Sequence, residues 1–194
     1  MVVLDKIFEA ILPKEELKSF IKLTTDMAKT YSTAKVLDYK TKEEEFSLEP
    51  ELTTILSRSR DPAELKYYWE QWRASSGQNI REMYGQYVDL YNEAAQLNGF
   101  ADASLMKVDS YESDTFKEEM AETWEGLKPL YEELHAYVRH KLHSFYGPEV
   151  LKDSGAIPAH LLGNMWAQSW NNIADILKPF PAKPSINVTG AMLE

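Results

Sequence analysis

Ile157-Pro158-Ala159-His160-Leu161-Leu162-Gly163-Asn164-Met165-Trp166-Ala167-Gln168-Ser169-Trp170 sets two tryptophans, two amides and a histidine among small residues. The stretch predicts one helix over residues 158–177. A helix that only filled a core would use Leu, Ile, Val and Ala. Amides and indoles close together point instead to a lined cleft, because each buried polar group needs a partner.

Working outward, Pro179, Pro181 and Pro184 predict an extended exit after that segment. Before it, Gly147-Pro148 stops a long helix expected over 114–146, with a bend at Pro129. Asp61-Pro62 is a start signal, an N-cap acid followed by proline at the first helical position. The helix it opens carries Leu65, Tyr68, Trp69 and Trp72 and, past Gly77, Ile80, Met83, Tyr84, Tyr87, Val88, Tyr91, Ala94 and Ala95. Asn98-Gly99 closes it as a C-cap. Leu17, Phe20, Ile21, Leu23, Met27 and Tyr31 recur at helical spacing, as do Leu4, Ile7, Phe8, Ile11 and Leu12 in a first helix closed by Pro13. The polar segment 38–47 is a loop, and a short helix follows over 49–58. No stretch alternates with period two. The expectation is therefore an all-α fold over residues 1–194 as one unit.

The 194 residues suffice for a substantial core, and 44% hydrophobic with 12% aromatic residues describe a globular chain. A formal net charge of −10 argues against nucleic acid, which needs clustered Lys and Arg. No run approaches the roughly 18 apolar residues of a membrane span. There are no cysteines, hence no disulfide or thiolate site, and Met1 to Lys6 lacks the features of a signal peptide. On these grounds the expected location is cytoplasmic if the chain is a genuine short product.

Chemistry-bearing motifs are sparse. His135, His140, His143 and His160 include no pair four apart with Glu after the first, so the chain holds no zincin helix. Glu132 with His135, and His140 with His143, place donors at i,i+3, a spacing that charged helices produce by chance. There is no Gly-x-Ser-x-Gly elbow, and Gly77, Gly85, Gly99 and Gly126 stand alone. Trp69, Trp72, Tyr84, Tyr87 and Tyr91 read first as core. Asn187-Val188-Thr189 is a glycosylation sequon that matters only on an exported protein.

Several blocks in order carry a resemblance. They are Leu48-Glu49-Pro50-Glu51-Leu52, Trp69-Glu70-Gln71-Trp72-Arg73, Tyr87-Val88-Asp89-Leu90, Asn92-Glu93-Ala94-Ala95 and Leu97-Asn98-Gly99-Phe100. Residues 127–139, the 157–170 run and Pro179-Phe180-Pro181 continue the series. Together they resemble the angiotensin-converting enzyme family of zinc peptidyl-dipeptidases, over the amino-terminal part of its catalytic domain. Tyr111-Glu112-Ser113-Asp114-Thr115-Phe116 gives the resemblance an arthropod flavour.

The resemblance implies an all-α domain split by a deep groove, of which this chain would form one half. It implies release of C-terminal dipeptides from oligopeptides by a zinc-bound water that attacks the scissile carbonyl. The family's zinc ligands lie beyond the equivalent of Glu194, so zinc is not expected in this chain and the 194 residues alone are expected to be inactive. Gln168 would match the glutamine that binds the substrate's terminal carboxylate. Arg73 and Tyr111 would match residues of two chloride sites. The family is extracellular or membrane-attached, and its partner would be a peptide substrate once the domain is completed. A second reading is a truncated, non-catalytic peptide-binding or decoy protein. A half-domain would leave apolar surface uncovered, which predicts self-association. Against the resemblance three departures are read: Lys107 replaces a lining tryptophan, the amino-terminal helices are expected to be shortened, and the family's disulfide in the segment aligned with residues 37–46 is absent.

Overall fold

The structure is a computed structural model that describes residues 11–183 and Met192. The expected first helix falls largely outside the described residues, as does Asn187. Within them the fold is helical, as the periodicity predicts. α1 spans Lys14–Thr33, α2 Thr53–Arg58, α3 Pro62–Ser75, α4 Gly77–Leu97, α5 Ala103–Val108, α6 Phe116–Tyr146 and α7 Ala174–Leu177.

Local chemistry explains most boundaries. Asp61 caps α3 by accepting from the Ala63 and Glu64 amides at 2.9 and 3.3 Å, with Pro62 at the first position. Gly99, at φ +88°, follows the end of α4, where the Asn98 side chain also returns to the Ala94 carbonyl. The expected single helix from Pro62 to Leu97 is two. Ser76 interrupts it with φ −108° and ψ −79°, and its hydroxyl bonds the Trp72 carbonyl at 2.5 Å. α6 begins at Phe116 rather than Asp114, because Thr115 and Ser113 both donate to the Glu119 carboxylate. It runs through Pro129 to Gly147. α5 was not anticipated. Asp102 caps it through the Ser104 and Leu105 amides.

The largest correction concerns residues 158–177, which do not form a helix. A tight turn at Ala159–Leu161 is followed by irregular chain, a second turn at Asn171–Ile173 and the four-residue α7. Gly163 sits at φ +74°, and a Cβ there would come within 3.0 Å of the Asn172 Cβ. Asn172 donates to the Gly163 carbonyl at 2.8 Å, Asn164 accepts from the Trp166 amide at 2.9 Å, and Trp170 Nε1 donates to the Ala167 carbonyl at 2.8 Å. Of the amides and indoles that suggested a cleft-lining helix, Asn164 and Trp170 are bonded to the backbone instead, and with Asn172 they stabilise turns in place of helix.

A second departure is a two-stranded antiparallel ribbon, β1 Val36–Leu37 against β2 Glu45–Phe46, whose second strand falls inside the segment 38–47 expected to be loop. Beyond it a wide turn over Leu48–Leu52, with a cis Glu49–Pro50 bond, leads into α2.

Three apolar clusters hold these pieces. Leu12, Phe20 and Ala94 join α1 to α4. Val36, Leu52, Leu56, Leu65, Tyr68 and Trp72 gather the ribbon, α2 and α3, and they take in Leu161 and Met165. Val138 and Leu142 of α6 bury Leu151, Leu162 and Ile173. Among the described residues the amino-terminal half of α6 has no such cover: Met120, Trp124, Leu127, Leu130, Tyr131 and Leu134 are exposed, Leu130 to 71%.

Candidate functional site

Arg73 is the residue around which the 157–170 run is organised. It projects from the last turn of α3, with its guanidinium carbon 3.6 Å from the centre of the Trp69 ring. Nη1 donates to the Trp69 carbonyl at 3.1 Å and lies 3.4 Å from the Met165 sulfur; Nη2 donates to the Met165 carbonyl at 2.8 Å. Met165 is itself buried. One side chain thus ties α3 to the irregular segment by a charged hydrogen bond and a cation–π contact. Burial pulls the Arg73 pKa below its ordinary value, against the Tyr31 side chain, which raises it.

Two donor groups stay open at this point. The Nε–H of Arg73 and one Nη2–H have no protein acceptor among the described residues, and the buried Nε1–H of Trp69 has none either. A cation on an indole face with unmatched N–H groups beside it is the donor chemistry that suits a small anion. The residues therefore fit the chloride that the resemblance implies.

Gln168 lies three residues beyond the pinned Met165, directly after Ala167 at φ +56°. Its side chain is exposed and makes no hydrogen bond to the described residues. Tyr111 is elsewhere, on the turn Asp109–Tyr111, 63% exposed and stacked on Phe116 with centroids 4.0 Å apart. It shares no hydrogen bond or ring contact with Arg73 or Gln168. The structure thus links Arg73 with the Gln168 segment and leaves Tyr111 apart.

Among the described residues, no three His, Asp or Glu side chains gather closely enough to hold a metal ion. His160 is partly buried, which pushes its pKa down, with Lys66 adding to the effect and Glu70 opposing it.

The whole length of the chain, residues 1–194, matches the family model for angiotensin-converting enzyme. This chain belongs to the angiotensin-converting enzyme family. It is 41% identical over 191 residues to the angiotensin-converting enzyme of Haematobia irritans exigua, covering 98% of this chain and 31% of that protein. It is 46% identical over 185 residues to that of Rattus norvegicus, covering 95% of this chain and 14% of the relative. With the enzyme of Theromyzon tessulatum it shares 41% identity over 187 residues, 95% of this chain and 30% of the other. The chain thus spans less than a third of these curated relatives. Among the described residues of this family member, no helix is long and apolar enough to cross a membrane.

Two arrangements were not read from the sequence. The Trp69 indole was assigned to core without its role under Arg73, although Trp-x-x-x-Arg at i,i+4 is the spacing that brings ring and cation together. Asp38 accepts from the Lys40 and Thr41 amides and the hydroxyls of Thr41 and Tyr68. An aspartate followed three residues later by threonine is a turn signal, and it lay within the segment assigned to loop.

Proposed function

We propose that these residues build part of the substrate groove of a zinc peptidyl-dipeptidase, in which Gln168 receives the carboxylate at the end of a peptide. The observation that carries this reading is the position of Gln168, exposed and unbonded three residues after the Met165 carbonyl that Arg73 holds at 2.8 Å. An amide N–H can donate to a carboxylate without adding charge, and a tethered backbone limits the entropy lost when it does so. Arg73, with the Trp69 N–H, would hold one chloride, and Tyr111 would line a second, separate one.

The zinc-bound water that cleaves the peptide in this reading would be supplied by residues outside these 194. The part played here is to bind and orient. Gln168→Ala in the complete enzyme should raise KM about tenfold and leave kcat within about twofold, as expected when binding common to ground and transition states is lost. An unchanged KM would remove Gln168 from the site. The 194-residue stretch by itself should release no dipeptide with or without added zinc, and measurable release would overturn that expectation.

A non-catalytic peptide-binding or decoy role is the second reading. It rests on the exposed side chain of Gln168, which can meet a peptide carboxylate without any catalytic partner. Calorimetric titration of the 194-residue stretch with a short peptide and with its C-terminal amide separates the two readings. Carboxylate-dependent binding without hydrolysis supports the second reading, whereas absence of binding leaves only the groove part of a larger enzyme.

A further inference from the structure

The loop 147–156 carries the chain from α6 into the 157–170 run, and one imidazole of α6 contacts it at two points. His143, in the last turn of α6, has Nδ1 2.6 Å from the Leu151 carbonyl oxygen and Nε2 2.9 Å from Oδ1 of Asp153. A carbonyl oxygen can only accept, so Nδ1 must carry the proton it shares with Leu151, and Nε2 pairs with the Asp153 carboxylate when it carries a proton as well. Only the doubly protonated imidazolium offers both a donor to Leu151 and a positive charge to Asp153. Arg139 adds a weaker bond, Nη1 to the Lys152 carbonyl at 3.4 Å.

The imidazole faces a pocket of about 120 Å³ lined by Arg139, His140, His143 and Asp153. Arg139, His140 and Asp153 are the charged and titratable groups that line it beside His143, and Lys152 and Glu149 belong to the same loop. The Glu149 carboxylate lies against Gly147, and on the α7 side Asp175 is engaged by Arg60 at 3.0 Å. The Asp153 side chain is 87% exposed, so water reaches this contact.

From this geometry we infer that His143 is a proton-operated latch that fastens the loop 147–156 to α6 while it carries two protons and releases it on losing one. The deprotonated ring keeps its bond to Leu151 through Nδ1–H but turns a bare Nε2 lone pair toward the Asp153 carboxylate. Two acceptors then face each other, and the loop keeps the Nδ1–H bond to Leu151, the burial of Leu151, the Leu151 amide bond to the Gly147 carbonyl and the Arg139 contact, but loses the tie at Asp153. Leu151 packs on Leu162 and Ile173, so the latch acts at the root of the segment that carries Gln168. The inference needs no assumption about the role of Gln168, because it concerns how the loop is held.

Trypsin cleavage after Lys152 reports the loop directly, and cleavage after Lys42, in the loop between β1 and β2 of the same molecule, cancels the pH dependence of the protease. Both lysines are exposed. In the full chain the Lys152/Lys42 ratio should rise roughly threefold as pH increases, the scale of an exposed ion pair. Its midpoint should coincide with the His143 titration followed by C2-hydrogen exchange and mass spectrometry. Asp153→Asn should flatten the profile, because an amide can accept from Nε2–H or donate to bare Nε2. It replaces an exposed side chain, so folding is not at risk. His140→Gln should leave the profile intact. A flat ratio in the parent chain, a profile that survives Asp153→Asn, or one abolished by His140→Gln would each overturn the latch.

Discussion

Tyr68 and Asp38 form the most consequential residue-scale contact outside the candidate site. The Tyr68 hydroxyl donates to Asp38 Oδ1 at 2.9 Å and accepts from the Tyr39 amide at 2.8 Å, on a ring with no solvent exposure. Burial pushes the phenol pKa up, so it remains a donor throughout the accessible pH range. Tyr68→Phe leaves the Tyr39 N–H without its partner and should cost about 1–2 kcal/mol in urea unfolding. Asp38 is held down to about 2 from 3.8, first by the Thr41 amide and against an opposing desolvation, with the Tyr68 and Thr41 hydroxyls and the Lys40 amide adding to it. A depressed carboxylate favours the folded state at pH values above 3.8, and that contribution fades as pH falls through about 2. The Lys40 and Thr41 amide resonances should therefore titrate near the lower value and lose that step in Asp38→Asn; a midpoint near 3.8 would contradict the assigned bonds. At Arg73, replacement by Gln removes the ring contact and the bond to Met165 together. It should lower stability by about 2 kcal/mol and speed hydrogen exchange across residues 163–168.

Elements show where sequence periodicity carries information and where it does not. α1, α3, α4 and α6 were legible because their apolar residues recur at helical spacing and their ends bear a proline, a capping acid or a glycine. Family membership was legible for a different reason, the ordered blocks from Leu48 to Pro181. The 158–177 segment misled because Asn, Ser and Trp can satisfy either a cleft or the backbone, and only geometry decides which. Ser76 gave no local signal of a break, since serine in a helix often returns its hydroxyl to the preceding turn without ending it. Of the site residues, Gln168 and Arg73 were named from the resemblance, but their connection through Met165 required the fold. At this scale Pro129 is the informative test. It lies exposed inside α6, where a proline withholds one backbone donor. Pro129→Ala should raise stability by roughly 1–3 kcal/mol, read as a higher thermal midpoint, and a lowered midpoint would mean that packing depends on the proline.

At the scale of the molecule, apolar cover is uneven. The carboxy-terminal half of α6 is buried by Leu151, Leu162 and Ile173, while the half from Met120 to Leu134 presents large side chains to water. Isolated as 194 residues, the protein should associate as its concentration rises in sedimentation velocity, and Leu127→Glu with Leu130→Glu should suppress this. Association indifferent to that pair would place the contact elsewhere. The loop between β1 and β2 points to a different consequence. Antiparallel pairing of Val36 with Phe46, the Asp38 amide bonded to the Glu44 carbonyl at 2.8 Å, the carboxylate of Asp38 and Lys42 poised 3.5 Å over Tyr67 close this loop non-covalently. Closure of this kind follows chain collapse on the microsecond scale of hairpins, whereas a cross-link waits seconds to hours for oxidant and reshuffling. Renaturation of this corner should accordingly proceed at one rate whether or not dithiothreitol is present.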